Sequence, residues 1–419
     1  MSDAVEACLA RIAAGNGALR GMIAVDAAAR GGAGAVAGVV VAVKDVFDVA
    51  GMATTANARL FAGVGPAVRD SAVVARLRAA GAVIIGKANC WEMSVGGPSW
   101  DSPAPPAVNP WAEGGDPGGS SSGSAVAVAS GMAMVGIGGD TGGSVRLPAS
   151  FCGVVGFKPT LGAVPMEGAV PFAETLDVAG PMARTAAECA AVQAVLSGGV
   201  VHGRVDLAGL RVGVPEGLVR LGGASGAVMT GFEVVCAALG RAGAVVRVVE
   251  LPSAGVFNQC YFLVARSEAY ARWGGTLAAR PEAFNALTRR SFAIGALIPA
   301  EAVADAARQR VRLRAEMAEV MAGVDVLALP TTPDEAPDLQ VGDLDGRDAF
   351  SRPDTAPFTR PFSLVGVPAV SLPCGLGVRG RPVGLQLVGR HGADAWLLAV
   401  AEAVEEVLPG IGRPREWWA

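Results

Sequence analysis

At 419 residues, with 52% hydrophobic and 17% charged side chains and a net charge of −4, the chain has ample material for a large core. That balance excludes intrinsic disorder and leaves no basic stripe, so neither nucleic acid nor an anionic membrane is an expected partner. The longest apolar stretch, near Val126 to Ile137, is broken by glycine and falls well short of the ~18 residues of a spanning helix.

The first ~30 residues read as an amphipathic helix, with Val5, Cys8, Leu9 and Ile12 at helical spacing. Acids and polar breaks in MSDAVEACLARIAAG stand where a signal peptide would have a basic start and an apolar run, so export is not expected. Val36 to Val43 is a continuous β-branched run, as in a strand covered on both faces, and Lys44 ends it. A helix over about Ser71 to Ala80 and a strand at Val83 to Ile85 follow. The proline-rich stretch Gly96 to Asp116 then leads to a glycine and serine cluster whose serines suit the start of a helix over Ala125 to Met132.

Past Thr160 helices near Thr185 to Leu196 and Val228 to Ala242 alternate with strands at Leu210 to Val214 and Val245 to Leu251. Phe257 to Met321 reads as mainly helical and aromatic. Strands at Val324 to Leu329, Ala369 to Leu372 and Val383 to Val388 and a helix from about Ala393 to Val407 close the chain. This alternation predicts an α/β fold.

The seven cysteines, Cys8, Cys90, Cys152, Cys189, Cys236, Cys260 and Cys374, are scattered and form no CxxC pair. Reduced thiols in a cytoplasmic protein, with no zinc site, are the expectation. Only Lys44, Lys87 and Lys158 are lysines among the 34 basic residues. A lysine kept in such a chain suits a task arginine cannot perform, such as losing its proton. His202 and His391 are the only histidines, which leaves two candidates for the base of a Ser–His–Asp arrangement and excludes a histidine-rich metal site.

Two loops organise the reading, GGSSSGS from Gly118 and GGDTGGS from Gly138, with the small apolar run AVAVASGMAMVGI between their glycine and serine clusters. Glycine lets backbone N–H groups approach a ligand closely. A nucleophilic serine needs a base and donors for the oxyanion, and Ser144 follows Gly142 and Gly143 directly. Ser120, Ser121 and Ser122 are each placed to relay a proton. Lys44 serves as base only when neutral, which requires its pKa to fall by ~3 units, and its position at the end of an apolar strand supplies the desolvation.

GGSSSGSAVAVASG followed by GGDTGGSVRLPASFCGVVGFKPT resembles the defining motif of the amidase signature family, and VVVAVKDVFDVAG resembles its lysine segment. RDSAVVARLRAAGAVIIGKAN, VNPW, TLDVAGPMART, DVLALPTTP, LVGVPAVSLPCG and RPVGLQLVG extend the likeness from about residue 35 to 407. The resemblance implies one large domain over 1–419, built on a central mixed β-sheet surrounded by helices. Its core motifs fall in 36–200 and a smaller helical, pocket-lining region in about 253–322.

The resemblance further implies a Ser–cis-Ser–Lys triad without a cofactor: Ser144 as nucleophile, Ser120 after a cis peptide bond as relay, and Lys44 as base. Oxyanion donors fall on the backbone of Thr141, Gly142, Gly143 and Ser144, while Ser121, Asp140 and Arg146 buttress the loops. Two departures stand out: Gly139 replaces a common threonine, and Ser122 stands where many members have glycine.

The implied activity is hydrolysis of a small-molecule carboxamide through an acyl-enzyme, releasing ammonia or an amine. A glutaminase subunit of a tRNA-dependent amidotransferase and a urea- or carboxybiuret-type amidohydrolase are the alternatives, and a homodimer is common among relatives. Specificity is expected in Thr54 to Pro66, Trp91 to Trp111, the aromatic helices after Phe257, and Asp334 to Thr359. Arg289, Arg290 and Arg360 are candidates to receive a substrate carboxylate.

Overall fold

In the computed structural model, which describes residues 3–339 and 353–418, the apolar runs of the sequence become strands of one mixed sheet. In chain order they are β1 (Met22–Val25), β2 (Val40–Lys44), β3 (Val83–Ala88), β4 (Val135–Asp140), β5 (Val155–Lys158), β6 (Val178–Ala183), β7 (Arg211–Val214), β8 (Val245–Val248), β9 (Val326–Pro330), β10 (Ala369–Leu376) and β11 (Pro382–Val388). They lie in the order β1-β3-β2-β4-β6-β5-β10-β11-β9-β7-β8.

Twelve α-helices accompany the sheet among the described residues. The first seven are α1 (Asp3–Leu19), α2 (Ala72–Ala79), α3 (Ser122–Ala129), α4 (Arg146–Cys152), α5 (Ala186–Ser197), α6 (Glu216–Leu221) and α7 (Gly226–Arg241). The other five are α8 (Ala254–Ala279), α9 (Ala286–Ala293), α10 (Ala300–Gly323), α11 (Arg360–Val365) and α12 (Asp394–Glu405). Every residue of β2, β3, β9 and β11 is buried, as expected of apolar runs with cover on both faces.

The N-terminal helix is shorter than the periodicity predicts. It ends at Leu19, Arg20 takes a left-handed conformation at φ 51°, and the Asn16 side chain exchanges two hydrogen bonds with the backbone of Met22. The chain is thereby turned into β1, which pairs antiparallel with β3. The central strands β4, β5 and β6 are also absent from the sequence reading; glycine and proline within VGIGGD and VAGPMA mask their strand character.

Three parallel neighbours, β3, β2 and β4, position the functional loops. Lys44 and Ala88 pair at the carboxyl ends of β2 and β3, and β4 runs on to Asp140 at the same edge. Ligands of open α/β sheets bind outside the carboxyl ends of such strands.

Helix α3 carries the first serine loop and packs against this edge through small residues. The Gly123 N–H donates to Asn89 O at 2.9 Å, and a Cβ at Gly123 would stand 2.2 Å from Gly21 O and 2.3 Å from Asn89 N. Gly123→Ala is therefore expected to destabilise the protein by ~1–3 kcal/mol through overpacking, read as a lower midpoint of urea unfolding. A wild-type midpoint would contradict this close approach.

Candidate active site

Lys44 is fully buried, and its Nζ lies 2.7 Å from Ser120 Oγ. Burial pulls its pKa down to about 8, against weaker upward pulls from Cys90, Asp177 and Asp140. Burial also pushes the Cys90 thiol up to about 12, so that neighbour is uncharged at neutral pH. Lys87 is built differently. Its Nζ lies 2.9 Å from Asp45 Oδ1, a contact of charge rather than an aligned hydrogen bond, and 2.9 Å from Thr54 Oγ1. Among the described residues, no carboxylate stands at ion-pair distance from Lys44.

The peptide bond between Gly119 and Ser120 is cis, as the resemblance implies. Ser120 O accepts from the Trp91 N–H at 3.1 Å, and a Cβ at Gly119 would sit 2.3 Å from the Trp91 ring. Ser121 ties the two loops together: its N–H donates to Ser144 O at 3.2 Å, and its Oγ bonds both the N–H and the carbonyl of Gly139 at 3.2 and 3.1 Å. A Cβ at Gly139 would meet Phe47 Cζ at 3.8 Å and Lys44 Nζ at 3.9 Å. The space left by the missing threonine thus adjoins the lysine, while Ser120 keeps its bond to Lys44.

The second loop turns on Asp140. Its carboxylate pairs with Arg146 through two bonds of 3.0 Å and accepts from the N–H groups of Gly143 at 2.7 Å and Val145 at 3.2 Å. Burial alone would raise this carboxyl, but the Arg146 guanidinium and the amide donors outweigh it and hold Asp140 below the ordinary carboxylate range. Arg146 is fully buried and also reaches Thr359 O, Gln386 Oε1 and Ser363 Oγ. It thereby joins the loop to β11 and to the start of α11.

The Gly143 amide is one of the four expected oxyanion donors, and its engagement with Asp140 removes it from that set. The amides of Thr141, Gly142 and Ser144 have no hydrogen-bond partner among the described residues, so the positive φ of Gly143, 138°, serves to turn its own N–H inward while its neighbours stay open.

Ser144 is half-buried and lines a cleft of about 420 Å³ with Thr141, Gly142, Gly119, Trp91 and Tyr261. Its hydroxyl makes no hydrogen bond among the described residues, to Ser120 or to any other group. Burial pushes Tyr261 up to about 12, so it stays a phenol, and a Cβ at Gly142 would lie 2.3 Å from its Oη.

Arg290 and Arg360 line the cleft, whereas Arg289 is exposed and does not. Arg266 also lines it and is absent from the sequence reading, although it stands one helical turn after Phe262 on α8. The two histidines lie elsewhere: His202 is exposed against Gly203 O, and exposed His391 lines a separate cavity of about 700 Å³. Among the described residues, no group of three or more His, Cys, Asp or Glu side chains is placed to hold a metal ion. The expected specificity stretch Asp334 to Thr359 falls in part on residues 340–352, outside the described residues.

A family model described as Amidase matches residues 3–398. The chain belongs to the amidase family. A glutamyl-tRNA(Gln) amidotransferase subunit from Anaeromyxobacter sp. (strain K) is 37% identical, over 99% of this chain and 94% of its own length. A crystal structure of an amidase superposes with a TM-score of 0.85 at 34% identity, covering 97% of this chain and 96% of that one. The peptide amidase from Stenotrophomonas maltophilia gives 0.81 at 28% identity, over 98% and 94% of the two chains. This amidase-family protein is accordingly a hydrolase acting on amide C–N bonds, with the single α/β domain of its relatives.

The fully buried Asp140–Arg146 pair can be tested by removing one charge. Asp140→Asn leaves a buried guanidinium without its counter-ion and is expected to cost ~3–5 kcal/mol of stability in chemical denaturation. Unchanged stability would show that the amide contacts alone hold the loop.

Proposed function

We propose that the protein hydrolyses a small-molecule carboxamide through an acyl-enzyme on Ser144, with Lys44 as base and Ser120 as relay. The observation that carries this reading is the 2.7 Å contact between Lys44 Nζ and Ser120 Oγ, fully buried and without a carboxylate, beneath the cleft that Ser144 lines. With a pKa near 8, about one Lys44 in ten is neutral at pH 7, against about one in three thousand for an ordinary lysine. That fraction makes a proton acceptor available at physiological pH.

A neutral Lys44 accepts the Ser120 hydroxyl proton along the existing contact, and Ser120 takes the proton of Ser144 as Ser144 Oγ attacks the amide carbon. The oxyanion forms against the open amides of Thr141, Gly142 and Ser144. As the C–N bond breaks, the proton returns from the Lys44 ammonium through Ser120 to the departing nitrogen. Water then attacks the Ser144 ester, and the acid leaves with Ser144 restored. Amide and water give acid and amine, and no cofactor takes part in this scheme. Seven free thiols support a reducing, cytoplasmic setting, and among the described residues no helix is long and apolar enough to cross a membrane.

A second reading, a glutaminase subunit working with partner chains, is favoured by the 37% identity to an amidotransferase component over nearly the whole chain. Ammonia release from glutamine only in the presence of partner chains would select it.

The test is labelling and pH dependence. A fluorophosphonate is expected to label Ser144, and Lys44→Met to lower kcat/KM by at least ~10³-fold, about 4 kcal/mol of transition-state stabilisation, with the unfolding transition preserved. Below a pH of about 8 the buried amine is an ammonium that cannot accept a proton, so wild-type kcat/KM should climb tenfold per pH unit and level off above it. His202→Ala and His391→Ala should retain wild-type rates. Near-normal turnover by Lys44→Met, or loss of activity in either histidine variant, would overturn the assignment.

A further inference from the structure

The cleft that holds Ser144 carries a guanidinium with an orphaned nitrogen. Arg266, on α8, lines it, and its Nη1 is buried without a hydrogen-bond partner. Its side chain lies between two rings, with Cζ 5.8 Å from the Phe172 centroid and 6.0 Å from that of Phe262. No carboxylate pairs with it among the described residues.

Arg360, on the same wall, is differently placed. It has its Cζ 4.5 Å from the Phe262 centroid and is held at both terminal nitrogens by Asp354, at 2.5 and 2.7 Å. Of the acids lining the cleft, Asp354 is thus taken by Arg360, Asp338 is paired with Arg381, and Asp116 Oδ1 accepts the Gly118 N–H at 2.8 Å. Burial, followed by the positive charges of Arg360 and Arg290, pushes the Arg266 guanidinium below its ordinary pKa despite an opposing pull from Tyr261. A buried charged donor without an acceptor costs free energy in the empty enzyme, and an anion entering the cleft recovers it.

We propose that the substrate is an amide that also bears a carboxylate, and that Arg266 receives that carboxylate. The inference rests on the reading of Ser144 as the nucleophile and adds the class of amide it acts on. The ligand chemistry follows from the geometry. A guanidinium presents a planar fork that matches one carboxylate bidentately. The rings of Phe172 and Phe262 flank that fork and suit the flat group, while the 420 Å³ cleft admits a small molecule. The wall runs from Gly142 through Tyr261 and Phe262 to Arg266, so the anionic end of the substrate reaches Arg266 while its amide lies at the glycine loop.

The experiment uses monoamides of dicarboxylic acids from malonic to adipic, each beside a neutral isostere in which an isopropyl group replaces the carboxylate. Ammonia release gives kcat/KM for every pair. For at least one chain length the wild-type enzyme is expected to prefer the carboxylate at least tenfold. Arg266→Gln should bring that ratio close to one, mainly through KM, and Arg266→Lys should keep part of it.

Ratios of one or below throughout the series, with Ser144 still labelled by a fluorophosphonate, would overturn the inference and leave the proposed function standing. Failure of Ser144 to label would overturn both. If no member of either series is turned over, protection decides: dicarboxylates are expected to slow labelling of Ser144 in the wild type and not in Arg266→Gln. Labelling indifferent to dicarboxylates would overturn the proposal. The wild-type ratio and protection stand whether or not Arg266→Gln folds.

Discussion

The structure depends on keeping an amine dry without giving it an acid. Lys44 sits at the end of a strand whose every residue is buried, and its nearest polar partner is a hydroxyl 2.7 Å away. Relative to water, its surroundings as a whole disfavour the ammonium form by about 3 kcal/mol, the free-energy equivalent of a pKa moved from 10.5 to about 8. Had Lys44 been given a carboxylate such as the one Asp45 offers Lys87, the attraction would favour the charged form and oppose the role proposed for it as a base. Two lysines at the carboxyl edges of adjacent parallel strands thus differ in what faces them.

Holding that environment requires close packing of backbone on backbone. Gly123 lies against Gly21 and Asn89, and a Cβ at Gly136 would meet Ser124 O at 2.6 Å. Gly138 leaves no more room, since a Cβ there would stand 2.7 Å from Ser121 Oγ. The small residues between the two loops therefore act as spacers that let α3 settle onto β4. The Asp140–Arg146 pair then fixes the second loop from beneath, so that Ser144 and three amides face the cleft while the fourth amide is turned inward.

Much of this was legible in the sequence. Continuous β-branched runs located β2, β3 and β9, and helical patterning located α2, α5 and α7, whose serine and threonine N-caps bond the first turn. The motif-bearing residues Lys44, Ser120, Ser121, Asp140 and Arg146 are brought together at one edge of the sheet. Hidden from a reading by periodicity were β4, β5 and β6, because a strand such as VGIGGD is chosen for how closely it can be approached and not for its propensity. The inward turn of the Gly143 amide was hidden as well, since it depends on a loop conformation that glycine permits but does not announce. Arg266 went unnoticed because one arginine among so many on amphipathic helices carries no distinguishing pattern; only the place of its guanidinium beside Phe172 and Phe262 sets it apart.

The scarcity of lysine makes the central claim directly measurable. With only Lys44, Lys87 and Lys158 in the chain, protein labelled with carbon-13 at the lysine ε position gives a spectrum of three side-chain signals, and Lys44→Met identifies the one sought. Followed against pH in the unliganded protein, the Lys44 signal is expected to titrate with a midpoint near 8. A midpoint above 10, the value of a lysine in water, would show that the amine keeps its charge and cannot serve as the base.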